Sequence, residues 1–426
     1  MGKSGKAAVE LLKSFGLAQR DILTFDDNPG LADTSDVNTV LAFSAKLAVV
    51  SPGIPLATPW IQSLKKSGVE ITSEISLTTR MLKSEILIGI TGSVGKSTTT
   101  AALGAAALAT DSNCFVGGNL GTPFSVYGAE VLMGKRPRAK FVILELSSFQ
   151  LENCDGLALD SSLITFLSPN HLERYADLES YYETKFKIDE IARNRLFLNI
   201  NGGDLVGYFN KTRSKEIASA PKRHTWVDKN RIPKDLFDFS RASLIGPHNQ
   251  DNLALAFSVV QYYGWPKESL ASLLSFPGLP HRLQRVKCAG EVLFVNDSKA
   301  TALDSVITAV ESCRHLKRPG KIHLLLGGRD KKLPWSDLSF LGQGSNCLFY
   351  FFGECREEAQ KLSSLPGRTF PKLEFAVNEA LTQVKPGDTV LLSPGGTSRD
   401  EFRDFEERGD AFSRLISCWT GPNIQT

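Results

Sequence analysis

The residues from Gly92 to Thr98 carry the plainest chemical signal in this sequence. Gly92, Ser93, Val94, Gly95, Lys96, Ser97 and Thr98 follow an apolar run and open a helix-like stretch. Glycines let backbone N–H groups turn toward an anion, and a helix N-terminus adds favourable partial charge. Lys96 can then reach terminal phosphates, and the hydroxyl of Ser97 or Thr98 can meet Mg2+. The spacing is not the full phosphate-loop pattern, because Ile90 stands where the first glycine belongs. The bland alternative is a strand-to-helix turn bearing a surface lysine, and the flanking elements weigh against it. The loop alone says nucleotide and leaves the reaction open.

Further clusters narrow the chemistry. Glu145 ends an apolar run, at the carboxyl edge where open α/β sheets bind ligands. His171 follows another such run. Asn249 and Asn252 open a helix three residues apart, near one face. Arg282 closes the run Leu279 to Arg282, and Asp297, Lys299 and Thr301 follow in the run Asn296 to Thr301. Each is weak alone, since a lone glutamate at a strand end is more often an ion pair. Their order along the chain is the stronger signal.

The elements that must position them alternate. Apolar runs rich in Val, Ile and Leu interleave with helical stretches, which predicts α/β layering with parallel sheets. Strands are expected near Ile22–Phe25, Val40–Phe43, Leu47–Val50, Glu85–Thr91, Phe141–Leu146 and Ser162–Leu167. Helices are expected over Ala7–Phe15 and Gln250–Tyr263. The turn-rich stretch Phe276 to Pro280 reads as a boundary, and Val292–Val295, Ile322–Leu326, Leu348–Phe352 and Thr389–Leu392 read as strands beyond it. At 426 residues, two or three domains are expected. The 49 basic and 46 acidic residues leave a net charge of only +3, too even to suggest nucleic acid or a membrane surface. Seven scattered cysteines without a C-x-x-C pair read as reduced thiols of a cytoplasmic protein.

In order and content these segments resemble the Mur ligase family over essentially the whole chain. The resemblance rests on Ser51 to Ile54, the phosphate loop, Gly117 to Gly121, Leu144 to Glu152, Leu279 to Arg282, Asn296 to Thr301, Leu324 to Gly328 and Phe402 to Gly409. The pairing of Leu279–Arg282 with Asn296–Thr301 is similar to the D-glutamate-adding branch. The resemblance implies an α/β fold of three domains. These are a Rossmann-like UDP-binding domain (1–78), a central P-loop ATPase-type domain (79–277) and a Rossmann-like amino-acid-binding domain (278–426). It implies ATP and Mg2+ as cofactors, and UDP-N-acetylmuramoyl-L-alanine and D-glutamate as substrates. The γ-phosphate passes to the carboxylate, and the amine displaces it. A monomer without nucleic-acid partner or membrane insertion is expected.

Roles follow by position. The resemblance implies ATP contacts from Gly92 to Thr98 and at Asn249, Asn252, Arg282 and Asp297. It implies Mg2+ contacts at Ser97, Thr98, Glu145 and His171, and a carbamylated lysine at Lys185, although Lys187 lies two residues on. Lys299 would face the transfer site, Thr301, Lys331, Ser398 and Phe405 would hold D-glutamate, and Lys3, Ser4, Asp26, Gly53 and Asn119 the UDP substrate. Departures are Val94 for asparagine, the run before His171, and Arg399 for an apolar residue; Arg399 could add a carboxylate clamp or change the preferred amino acid. Relatives open with a strand before the first glycine turn. Here Met1 to Gly5 reads as the second half of that turn, so the start is expected upstream. The rivals are a Mur-type or folylpolyglutamate-type ligase for other substrates, and a non-catalytic nucleotide-regulated relative.

Overall fold

The alternating apolar runs form the strands of three sheets. The computed structural model describes residues 1–219, 223–344 and 346–421. These fall into two compact units, Met1–Phe237 with Asp251–Leu273, and Asp238–Gln250 with Leu274–Thr426. Among the described residues no helix is long and apolar enough to cross a membrane.

In the first unit, β1 (Leu47–Val49) and β2 (Glu70–Thr72) form a small parallel pair. The larger sheet holds β3 (Ile86–Thr91), β4 (Cys114–Gly118), β5 (Phe141–Glu145), β6 (Leu159–Ile164), β7 (Ala192–Asn199) and β8 (His224–Val227). Its order is β4-β5-β3-β6-β7-β8, and every pair is parallel. β3 lies between two partners with helices on its faces, and so reads as a continuous apolar run.

Residues 1–78 share this unit. The helix Lys3–Ser14 buries Ala7, Ala8 and Leu11. It packs on the helix Phe124–Leu132, where a Cβ on Gly128 would stand 3.0 Å from the Leu11 side chain. Two expected strands here are corrected. Val40–Phe43 falls mostly within the helix Val37–Ala42, because the Asp36 carboxylate caps it by accepting from Asn38 N at 2.9 Å. Ile22–Phe25 reduces to one bridge between Phe25 and Thr34. Its ladder is replaced by Thr24–Asp33 hydrogen bonds at 2.7 and 2.9 Å.

The second unit carries β9 (Gln284–Ala289), β10 (Val292–Asn296), β11 (Ile322–Gly327), β12 (Cys347–Phe352), β13 (Gly367–Phe370) and β14 (Thr389–Gly395). The order is β13-β12-β11-β14-β10-β9, with only β9 antiparallel. Apolar clusters cover both faces, one including Trp335 and Leu326, the other Phe352 and Phe412.

A polar triad crosses that core. The His323 ring meets Tyr350 Oη at 2.8 Å and Asp388 Oδ2 at 3.0 Å, with the histidine fully buried. Burial holds the imidazole below its usual pKa, against the opposing pull of Asp388. Below about pH 6.5, the unfolded chain therefore takes up a proton that the folded chain resists. Stability present above that pH is lost as the pH falls. Thermal melts of the wild type should show Tm dropping from pH 7.5 to pH 5. His323→Leu should lower stability by about 1–3 kcal/mol, by taking the buried partner from Tyr350 Oη and one of several partners from Asp388, and should flatten that pH dependence. A variant with unchanged slope would show that the triad does not set it.

Candidate active site

In the first unit the site forms at the carboxyl ends of β3, β5 and β6. Thr91 leads into a turn that two glycines make possible. Gly92 has φ 148°, and a Cβ there would lie 2.1 Å from Thr165 Oγ1; Gly95 has φ 86°, and its Cβ would lie 2.5 Å from Asn252 Oδ1. Neither position tolerates a side chain. The helix Lys96–Thr110 follows directly, with Ser97 and Thr98 half-buried in its first turn and Val94 exposed. Lys96 Nζ folds back on the loop, donating to Gly92 O at 2.8 Å and Ser93 O at 3.1 Å.

Lys185, on the helix Leu178–Glu190, is 1% exposed and donates to the same Gly92 O at 2.8 Å. Its Nζ also stands 4.6 Å from the Tyr181 ring centroid. Burial drives its pKa well down and the Lys96 charge adds to this, while Glu145 pulls the other way. Lys187 is half-buried on the same helix. Glu145 is buried at the end of β5. Its Oε1 accepts from Asn119 Nδ2 at 2.6 Å, whereas Oε2 has no hydrogen-bond partner.

A bare carboxylate oxygen in a buried site is costly without a cation. Among the described residues no group of three or more His, Cys, Asp or Glu forms a metal cluster. Glu145 with the Ser97 and Thr98 hydroxyls is nonetheless a hard-oxygen set of the kind Mg2+ accepts. His171 has φ 55°, meets Glu173 at 3.3 Å and lies 5.0 Å from the Phe149 ring.

The UDP candidates lie in separate contacts. Asp26 is paired with the Met1 amino group at 2.7 Å, which holds its carboxyl down at about 2. Lys3 and Ser4 open the adjoining helix. Gly53 O accepts from Arg174 Nη1 at 3.1 Å, and the Asn119 side chain is engaged by Glu145. Sequence reasoning missed Ser93 as a tie. Its Oγ donates to Ser168 O at 2.9 Å and accepts from Ser168 N and Tyr181 Oη. It also left Arg174 unassigned.

In the second unit the carboxyl ends of β10, β11 and β14 gather the other candidates. Lys299 Nζ lies 3.9 Å from the Phe405 ring centroid, and burial, then the Arg282 charge, lowers its pKa. Asp297 accepts from Leu283 N at 3.1 Å and Ser393 Oγ at 2.9 Å, and burial raises its carboxyl to about 7. Arg329 and Thr397 exchange backbone hydrogen bonds at 2.8 and 2.9 Å, which ties the loop of Lys331 to that of Ser398. Lys331, Arg282 and Arg399 are exposed, Ser398 is buried and Thr301 is half-buried. Asn249 is buried and donates to Ile245 O at 2.7 Å.

Comparison with known proteins identifies the family. A model described as the Mur ligase middle domain matches residues 90–260, and one described as Mur ligase, glutamate ligase domain, matches 281–396. A UDP-N-acetylmuramoylalanine–D-glutamate ligase of Pasteurella multocida is 34% identical, covering 97% of this chain and 96% of its own. A protein of the same name from Anaeromyxobacter dehalogenans is 36% identical over 88% of this chain and 84% of its own. In fold the chain is similar to MurF ligase from Thermotoga maritima in complex with ADP. That likeness has TM-score 0.57 and 17% identity, and covers 94% of this chain and 99% of that one. MurF from Acinetobacter baumannii gives TM-score 0.59 at 16% identity, with 96% and 98% covered. The chain belongs to the Mur ligase family.

Proposed function

We propose that this chain is an ATP-dependent ligase that joins D-glutamate to UDP-N-acetylmuramoyl-L-alanine through an acyl phosphate. The observation that carries the reading is the near full-length likeness to relatives named for that activity. On this reading 1–78 bind the UDP substrate, 79–277 ATP, and 278–426 the amino acid. Lys3, Ser4, Asp26, Gly53 and Asn119 serve the UDP end. Lys96 and the loop N–H groups neutralise the terminal phosphates, and Asn249, Asn252, Arg282 and Asp297 orient the nucleotide. Glu145, Ser97 and Thr98 would hold Mg2+, with His171 beside them. Bound there, Mg2+ would screen the repulsion between triphosphate and carboxylate. Lys299 and Thr301 face the transfer, and Lys331, Ser398 and Phe405 hold D-glutamate.

The depressed pKa of Lys185 supports its carbamylation. A neutral amine attacks CO2, forming an N–C bond as one C–O π bond opens and one proton leaves, so a neutral buried side chain becomes an anion. A second anion beside Glu145 would suit a site that holds Mg2+. Phosphate release by the purified protein should require both UDP-N-acetylmuramoyl-L-alanine and D-glutamate. Release with either alone, or with another amino acid in preference, would overturn the substrate assignment.

Lys185→Ala should lose at least about 100-fold in kcat, in line with removing one electrostatic stabiliser, with partial recovery on adding short carboxylic acids. Lys187→Ala should retain most of its activity. The reverse pattern would move the role to Lys187. Arg399→Leu should raise KM for D-glutamate about tenfold, as expected for loss of a charge-assisted contact to a carboxylate. The KM values for ATP and the UDP substrate should stay put, and an unchanged D-glutamate KM would remove Arg399 from the amino-acid site.

A further inference from the structure

Arg174 lies three residues beyond His171, and its contacts reach three separate segments of the first unit. Its Nε and Nη2 donate to Glu152 Oε1 and Oε2 at 3.2 and 2.6 Å, a forked pair that is largely buried. Its Nη1 and Nη2 also donate to Gly53 O at 3.1 Å and Pro52 O at 3.3 Å. The guanidinium lies over the Phe149 ring, 4.5 Å from its centroid, and that ring stands 5.0 Å from the His171 ring. The backbone closes the same circuit, since Arg174 N donates to His171 O at 3.0 Å and stabilises the turn that holds His171 at φ 55°.

Only a planar, five-donor side chain serves a carboxylate, two carbonyls and a ring face together. A forked pair inside one element would be structural. This one ties the Ser51–Ile54 loop to the segments that present Glu145 and His171.

We propose that Arg174 is a positioning residue that couples the loop holding the UDP-linked acceptor to the His171 side of the phosphate site. The inference rests on the ligase reading above. Binding of the acceptor at Gly53 thereby orders the His171 turn, and the acceptor carboxylate meets a phosphate site already set.

The test is steady-state kinetics of Arg174→Ala, Arg174→Lys and Glu152→Gln beside the wild type. Arg174→Ala should raise KM for UDP-N-acetylmuramoyl-L-alanine and lower kcat, each on the order of 10- to 100-fold, as for other groups that orient a metal-site ligand. The KM for D-glutamate should hold within about twofold, as for a site assigned to residues that share no partner with Arg174. Added guanidinium should restore part of the kcat of Arg174→Ala, and Arg174→Lys should resemble the alanine variant. Glu152→Gln should shift the same two constants, and combining it with Arg174→Ala should add little. Unchanged constants in both Arg174 variants, or lost activity with all three KM values moving together and no guanidinium rescue, would overturn the proposal. Should Arg174→Ala fail to fold, Arg174→Lys and Glu152→Gln decide it by the same split. A wild type inert toward both substrates would instead sink the ligase reading itself.

Discussion

Two lysine side chains donate to one carbonyl oxygen, that of Gly92, each at 2.8 Å. Two full charges that close repel by about 3 kcal/mol even at an effective dielectric near 20. Lys96 stands at the half-open mouth of the loop, whereas Lys185 is 1% exposed. Burial and the Lys96 charge therefore both push Lys185 toward its neutral form, against the pull of Glu145. The rest of the first unit's site follows from this. Glu145 Oε2 is left without a hydrogen-bond partner. An unpartnered buried carboxylate oxygen is costly, and a cation beside it would offset that cost.

The second unit solves the opposite problem. Arg282 and Lys299 crowd one edge, and burial, then the Arg282 charge, weakens the tendency of Lys299 to stay charged. Lys299 offsets part of that cost on the face of Phe405. The frame behind them is stiff because Arg408, fully buried, donates to Ser298 Oγ, Ser298 O and Gly396 O at 2.8 to 3.1 Å. One guanidinium thus fixes the loop after β10 against the loop after β14. Burial lowers its pKa to about 10, still far above neutrality, so the clamp stays charged at working pH.

Much of this was legible in the residue pattern, for a physical reason. Parallel strands buried on both faces must be continuous apolar runs, so β3, β5, β10, β11 and β14 all fall where Val, Ile and Leu cluster. The N-terminal segment is less apolar and more local, and there a single cap at Asp36 outweighed strand propensity. Side-chain direction was beyond the sequence as well. Lys185 and Lys187 sit two residues apart, which on a helix means nearly opposite faces, yet nothing in their spacing tells which face is buried. The tying role of Ser93, itself read as a phosphate-loop contact, and the role of Arg174 escaped for a related reason. Their work is done through partners far along the chain, at Ser168 and Tyr181 for one and Glu152 and Gly53 for the other.

What unites the two units is direction. In each, parallel strands end toward one edge, and the connecting helices begin there. Lys96–Thr110 and Leu178–Glu190 do so in the first unit, and Leu303–Arg314 and Phe405–Ser417 in the second. Helix N-termini carry partial positive charge and unpaired N–H groups, so each edge favours anions before any side chain is considered. Some of that capacity is already spent, since Asp177 and Asp404 cap two of the four helices. The helix Lys96–Thr110 is different, because its cap is Gly95, which offers no side-chain acceptor. Of these four helix starts, it and Leu303–Arg314, capped by Ala302, make no side-chain cap hydrogen bond. The first follows the glycine turn assigned to phosphate and the second follows Lys299 and Thr301, whereas Phe405, also assigned to D-glutamate, opens a helix that Asp404 caps. At the first of these a phosphate would supply the acceptor that Gly95 lacks.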